Sequence, residues 1–181
     1  MFDILEEIKN IIITENIKSA LDLWAGRGQL SLFCANQWIK TVAIDNEKSL
    51  QWQFDKNLLN NKNIEYISEN IEDYLTKNNE TFDLVLLMNV IAFIKKDIFL
   101  TDIIQKITHI INKKWYLFFS FFFDDDPTMQ SPNISFYTFD DFVFLKKNFE
   151  IIKKIDMRKD DLHKPHGAHK HHIWYIIAKK K

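Results

Sequence analysis

Two of the three glycines in this 181-residue chain, Gly26 and Gly28, stand directly after an apolar run, in SALDLWAGRGQLSLFCA. In so glycine-poor a chain that placement has a use. Glycine takes a positive φ without strain and lets backbone N–H groups approach a ligand where a helix opens, here near Gln29 to Ser31. Asp22 lies within the run, and a second carboxylate, Asp45, ends the next one in TVAID. A carboxylate about 20 residues past such glycines can accept both hydroxyls of a ribose. Asp45 and Asn46 also read as a helix N-cap before EKSLQW, and the two roles are compatible. A third segment, ISENIED, brings Asn70 and Ile71 to the same edge, where an amide suits an adenine ring. The set fits a nucleoside-bearing cofactor, although an ordinary strand-to-helix turn would use the same glycines.

A second concentration of chemistry is histidine. His163, His166, His169, His171 and His172, five of the six in the chain, fall within ten residues. Three readings compete. A metal could use H-x-x-H-x-x-H if the segment folded around it, without help from cysteine. A substrate lid would aim His163, Lys164, His166 and His169 at a small anion, with some imidazoles acting as bases. A solvated loop would use none of them.

The elements that must position these residues follow from periodicity. Short apolar runs at Ser19 to Leu23, Thr41 to Ile44, Ile64 to Ile67, Phe82 to Leu87 and Tyr116 to Phe123 read as inner strands. Helices fit between them at Gln29 to Gln37, Glu47 to Asn60 and Asp97 to Ile111. Alternating strands and helices give an α/β fold with a doubly wound, mostly parallel sheet and right-handed crossovers. Thr138 is placed to N-cap a helix over Phe139 to Lys147. Phe149 to Met157 and His172 to Ala178 then read as an antiparallel hairpin around a long, histidine-rich loop. His109 and the run YLFFSFFF read as structural.

Composition sets the limits. With 46% hydrophobic residues the chain can bury a core. A net charge of −1 gives no overall electrostatic footprint for nucleic acid. The balance is uneven: residues 151–181 hold nine Lys/Arg against three Asp/Glu, after a body with 15 against 22. One cysteine, Cys34, excludes an internal disulfide and reads as a small buried hydrophobe in a reducing, cytoplasmic compartment. The longest apolar runs fall far short of a bilayer span, and MFDILEEIKN lacks the basic start of a signal peptide. The expectation is a single domain over 1–181, monomeric or homodimeric, with residues 1–125 holding the cofactor and 126–181 covering the substrate.

LDLWAGRGQLSL, VAIDNEKSL, ISENIED and FDLVLLMNVIAFI, in this order, resemble the strand-end motifs of class I S-adenosylmethionine-dependent methyltransferases. The resemblance covers roughly residues 19–125 and implies a seven-stranded Rossmann-like sheet with an antiparallel C-terminal hairpin. It also implies S-adenosylmethionine as cofactor, with Asp22, Trp24, Ala25, Gly26, Gly28 and Gln29 around its methionine part. Asp45 and Asn46 would meet the ribose, Asn70 and Ile71 the adenine, and Leu87, Met88 and Asn89 the cleft near the sulfonium. Trp24 departs from the small residues usual there, and Asn112-Lys113-Lys114 replaces a glycine turn. A dinucleotide dehydrogenase is disfavoured because Ser31 breaks the G-x-G-x-x-G spacing, and LMNV lacks the motif of amino-methylating nucleic-acid enzymes.

The distal third resembles the tellurite-resistance methyltransferases of the TehB type. Their Leu-His-Arg element corresponds to Leu162, His163 and Lys164, which gives His163 a catalytic role and replaces a bidentate guanidinium by an ammonium. A further arginine of that family has no clear counterpart near Ala168 to His171. The acceptor implied is a tellurium or selenium oxyanion, attacking through its central lone pair, or a thiol, from which His163 would remove the proton. The alternative is a non-catalytic protein that binds the cofactor, or a metal through its histidines.

Overall fold

The computed structural model describes residues 2–46, 60–126, 133–163 and 167–181. Its seven strands are β1 (Ser19–Leu23), β2 (Lys40–Asp45), β3 (Ile64–Ser68), β4 (Phe82–Leu87), β5 (Ile111–Phe122), β6 (Phe149–His163) and β7 (Gly167–Lys180). They lie in the order β3-β2-β1-β4-β5-β7-β6. The first five are parallel, while β7 runs antiparallel to both β5 and β6. The order reverses beside β1, which leaves a crevice outside the carboxyl ends of β1 and β4.

Both faces are covered, which is why the inner strands read as unbroken apolar runs. On one face α1 (Phe2–Thr14) buries Ile4, Ile8 and Ile12, one per helical turn, against Ala20, Leu84, Leu86, Phe118, Ile173 and Tyr175. α2 (Gln29–Ala35) adds Cys34, which is fully buried. The other face packs Leu21, Val85, Leu87, Leu117, Phe119 and Phe121 against α3 (Ile71–Lys77) and α4. α4 joins Lys96–Ile98, a π-helical Phe99–Ile103 and Ile104–Ile110. No helix among the described residues is long and apolar enough to cross a membrane.

The expected α/β sheet is present, with local corrections. Gln29–Ala35 is two residues shorter than expected, and α1 and α3 are additions. The helix expected over Glu47 to Asn60 lies outside the described residues, apart from Asn60 in a turn. β5 begins at Ile111, and its register with β4 shifts between Phe82 and Leu84, where Lys114 takes φ 70°. Thr138 does not cap by accepting a bond. Its N–H and hydroxyl both donate to Asp141, at 2.7 and 3.1 Å, ahead of a 3₁₀ helix over Asp140–Lys147.

The largest correction concerns the histidine-rich segment. It is not a long loop but a two-stranded ribbon, because β6 continues to His163 and β7 begins at Gly167. Lys159 stands opposite His171 and Asp160 opposite Lys170. These are polar cross-strand pairs with no apolar alternation to announce them. β7 meets the end of β5 at Ile173, opposite Phe122, so six residues of each ribbon strand, 158–163 and 167–172, project past the end of β5 on the carboxyl side.

Candidate functional site

At the carboxyl ends of β1 and β4 lies a cavity of about 480 Å³. The turn after β1 supplies Trp24, Ala25, Gly26 and Arg27, with Gln29 and Leu30 of α2 beyond it and Asp22 beneath. Met88 and Asn89 come from the end of β4, Ile4 and Leu5 from α1, and Tyr175 from β7. Four residues of these two rim loops have left-handed backbone: Trp24 (φ 68°), Gly26 (φ 55°), Gly28 (φ 70°) and Asn89 (φ 58°). For Trp24 that conformation costs about 1–2 kcal/mol relative to glycine, which is why a small residue suits the position. Its ring lies nearly parallel to Phe93, centroids 6.3 Å apart. Asn89 is held by Ser120, whose hydroxyl accepts from its N–H at 2.7 Å and donates to its side-chain oxygen at 3.1 Å.

Two buried carboxylates fix the turn. Asp45 accepts the Gly26 N–H at 2.8 Å, and the Ala25 N–H donates to the Ile44 carbonyl at the same distance. The turn is thereby tied to β2. Asp22, 2% exposed, accepts the Ser31 hydroxyl at 2.6 Å. Burial pushes its carboxyl up to about 6, against the pull of Ser31 and with a small contribution from the Asp45 charge. A group so shifted in a cleft is where function is expected. At Gly26 a Cβ would meet nothing within 4 Å, so open space adjoins the backbone. Gly28 is buried below the turn, and its carbonyl accepts from Leu32 at 2.8 Å.

Asp22, Trp24, Ala25, Gly26, Gln29 and Met88, all expected at the cofactor, line one cavity. Asp45 and Gly28 support it from behind. Leu87 and Ile71 bury their side chains in the core, so only their backbones face outward chemistry. Asn70 is exposed and caps α3 by accepting the Glu72 N–H at 2.8 Å. Asn46 is exposed at the end of β2. Sequence reasoning missed Ile4, Leu5, Leu30 and Tyr175. The isoleucines at four-residue spacing in MFDILEEIKNII announce α1, and Tyr175 shares a sheet face with Ile173 and Ile177.

The ribbon continues β7 beyond Tyr175, which lines this cavity. His163 ends β6, its backbone paired with Gly167, while Lys164 and His166 lie outside the described residues. His169, His171 and His172 are described. His171 and His172 are buried and are held by two neighbouring aspartates that follow β5. Asp126 accepts the His172 N–H at 2.7 Å and lies 3.1 Å from His171 Nδ1. Asp125 bonds His172 Nδ1, which holds its carboxyl below the usual range, with Arg158 assisting. His172 Nε2 is 3.0 Å from Asp156 but off the line of a hydrogen bond. Among the described residues no three metal-ligating side chains are grouped as a metal ion requires.

The arrangement matches known proteins. Residues 20–113, just over half of the chain, match the methyltransferase-domain family. No curated protein matches the sequence. The fold superposes on TehB from Haemophilus influenzae with a TM-score of 0.80 at 16% identity, covering 97% of this chain and 62% of that one. The chain therefore spans less than two thirds of that structure. The N-methyltransferase NodS from Bradyrhizobium japonicum, in complex with S-adenosyl-L-homocysteine, gives 0.74 at 10% identity over 98% of this chain and 86% of the other. Magnesium protoporphyrin IX methyltransferase from Synechocystis, with bound S-adenosylmethionine, gives 0.69 at 10%, covering 99% and 79%.

Proposed function

Because the chain belongs to the methyltransferase-domain family, we propose that it transfers the methyl group of S-adenosylmethionine to a small acceptor held beside the β6–β7 ribbon. The observation that carries this reading is the 480 Å³ cavity bounded by the glycine turn, Asp22 and Asn89. Its size and its lining fit an amino-acid chain joined to a nucleoside. Backbone and carboxylate stand on the turn side, and apolar and aromatic surface from Ile4, Leu5, Met88 and Tyr175 faces them. When bound, the cofactor supplies an already activated methyl carbon on a sulfonium. The protein has then to position a nucleophile in line with that carbon and exclude water. Ile4, Leu5 and Tyr175 exclude water. The ribbon, with His163, Lys164, His166 and His169, recruits and orients the acceptor.

The resemblance of Leu162, His163 and Lys164 to the Leu-His-Arg element of tellurite-resistance methyltransferases points to a tellurium or selenium oxyanion, or a thiol, as that acceptor. The single buried Cys34 fits work in a reducing cytoplasm. The test is methyl transfer from labelled S-adenosylmethionine to tellurite, selenite and a simple thiol. Labelled product with at least one acceptor is expected. Cofactor binding with no transfer to any of them would favour a non-catalytic protein.

A further inference from the structure

On the β7 side of the cavity stands a phenol. Tyr175 is 7% exposed, and its hydroxyl makes no hydrogen bond among the described residues. The side-chain polar atoms there that are both sealed from solvent and unbonded are His172 Nε2 and Trp174 Nε1. The Tyr175 hydroxyl, unbonded but not sealed, therefore opens onto the cavity that its residue lines. Burial raises its pKa, so it stays protonated and able to donate. A hydroxyl drawn so far from water without a partner is destabilising, and a ligand atom that accepted from it would remove that penalty.

A second donor stands beside it. Ser120 lies opposite Tyr175 in the β5–β7 pair, which sets their Cβ atoms about 4.5–5.5 Å apart on one face of the sheet. The same Ser120 hydroxyl accepts the Asn89 N–H and donates to Asn89 Oδ1. With that oxygen occupied, Asn89 offers the cavity it lines the hydrogens of Nδ2, which have no partner among the described residues. The strand order identifies this end of the cavity. β3, β2 and β1 carry, in that order, the residues expected at adenine, ribose and methionine, and β4, β5 and β7 follow on the far side of β1. Phe119 pairs with Leu87, so Ser120 and Tyr175 stand level with Met88. β7 is three places, about 14 Å, from β1. The charged residues of the lining, Asp22 and Arg27, stand on the β1 side. A cofactor laid from β3 to β1 thus leaves the two neutral donors to the acceptor.

We propose that the Tyr175 hydroxyl and the Asn89 amide form the acceptor pocket, donating to an oxygen carried next to the atom that is methylated. This rests on the methyltransferase reading and names the specificity element of that site. An oxyanion and a small thiol acid both present such an oxygen, whereas an unsubstituted thiol presents none. The electron pair of the reacting atom, a central lone pair in the oxyanion or a thiolate pair once the thiol proton has gone to solvent, forms the bond to the methyl carbon. The carbon–sulfur bond of the sulfonium breaks and S-adenosylhomocysteine leaves. Tyr175 and Asn89 keep their hydrogens throughout and fix the angle of attack.

The test compares the parent with Tyr175→Phe and Asn89→Asp. Methyl transfer to mercaptoacetate, ethanethiol and selenite is followed at one pH, with S-adenosylhomocysteine binding and melting temperature measured alongside. Mercaptoacetate and ethanethiol share a thiol and differ in the oxygen, and the parent should prefer mercaptoacetate. Tyr175→Phe keeps the ring, and it should cut the mercaptoacetate-to-ethanethiol ratio of kcat/KM about tenfold or more, with a similar loss on selenite. Cofactor affinity should not move, and the melting temperature should not fall, because no existing hydrogen bond is removed. Asn89→Asp keeps the bond to Ser120 and a left-handed backbone that Asp tolerates, but faces the acceptor with a negative charge, so the ratio should fall further. A parent without the preference, or a Tyr175→Phe variant with an unchanged ratio, overturns the pocket and leaves the methyltransferase reading standing. A Tyr175→Phe variant that loses S-adenosylhomocysteine affinity puts the hydroxyl on the cofactor and overturns the pocket as well. A parent that binds S-adenosylhomocysteine and methylates none of the three overturns the pocket together with catalysis on such acceptors, and one that does not bind it overturns the broader reading.

Discussion

The turn after β1 and the β6–β7 ribbon stand at the same rim of the sheet and are built on opposite plans. The turn is held by backbone: left-handed residues, two buried carboxylates and hydrogen bonds to β2. The ribbon is held by side chains, with Asp125 and Asp126 gripping His172 and His171. A surface made of backbone recognises one constant shape, whereas a surface made of side chains can be rewritten without disturbing the fold. The turn therefore suits a fixed cofactor and the ribbon an acceptor that varies between relatives.

Four changes would break or sharpen that contrast. The largest effect is expected at Asp22, whose carboxyl is raised from 3.8 to about 6 in the fold. The native state binds this proton more tightly than the unfolded chain. Stability should therefore fall as pH rises from about 4 to about 6, by roughly 3 kcal/mol. Asp22→Asn removes that slope, so it should raise the melting temperature at pH 8 while weakening S-adenosylhomocysteine binding at least tenfold. Thermal melts at pH 4, 6 and 8 with calorimetry check both halves. Next comes Asp45→Ala, which orphans the Gly26 N–H. It should cost about 1–3 kcal/mol of stability and tenfold or more in cofactor affinity, read by denaturant unfolding and calorimetry.

The ribbon should answer differently. His163→Ala should lower methyl transfer about tenfold by loosening acceptor orientation, with cofactor affinity unmoved; a matching loss of cofactor affinity would erase the division of labour. The smallest effect is expected at Lys170→Ala. Its pair with Asp160, at 3.6 Å, is largely exposed, and such pairs contribute little. Melting temperature and transfer rate should stay within measurement scatter.

The two regions also differed in how legible they were. Gly26, Asp22 and Asp45 could be found because a glycine beside an apolar strand reports a backbone requirement, and that requirement is local. The sheet was legible for a similar reason, since strands buried on both faces must be apolar throughout. The ribbon hid because its strands set polar residues opposite one another, such as Asp160 opposite Lys170 and Lys159 opposite His171, which leaves no hydrophobic period. Asp126 could not be linked to His171 from sequence, because 45 residues separate them and only the β5–β7 register joins them. α1 went unread although Ile4, Ile8 and Ile12 recur at helical spacing. What periodicity cannot show is that its first turn would close one wall of the cavity.

The central claim is that the glycine turn and Asp22 build a site for S-adenosylmethionine, and the melting temperature tests it most directly. With S-adenosylhomocysteine at about 100 times its dissociation constant, stability should rise by about 2.7 kcal/mol. For a chain of this length that is a shift of about 5–10 °C, and it should be the same with and without chelator. A melting temperature indifferent to S-adenosylhomocysteine at millimolar concentration would contradict the account.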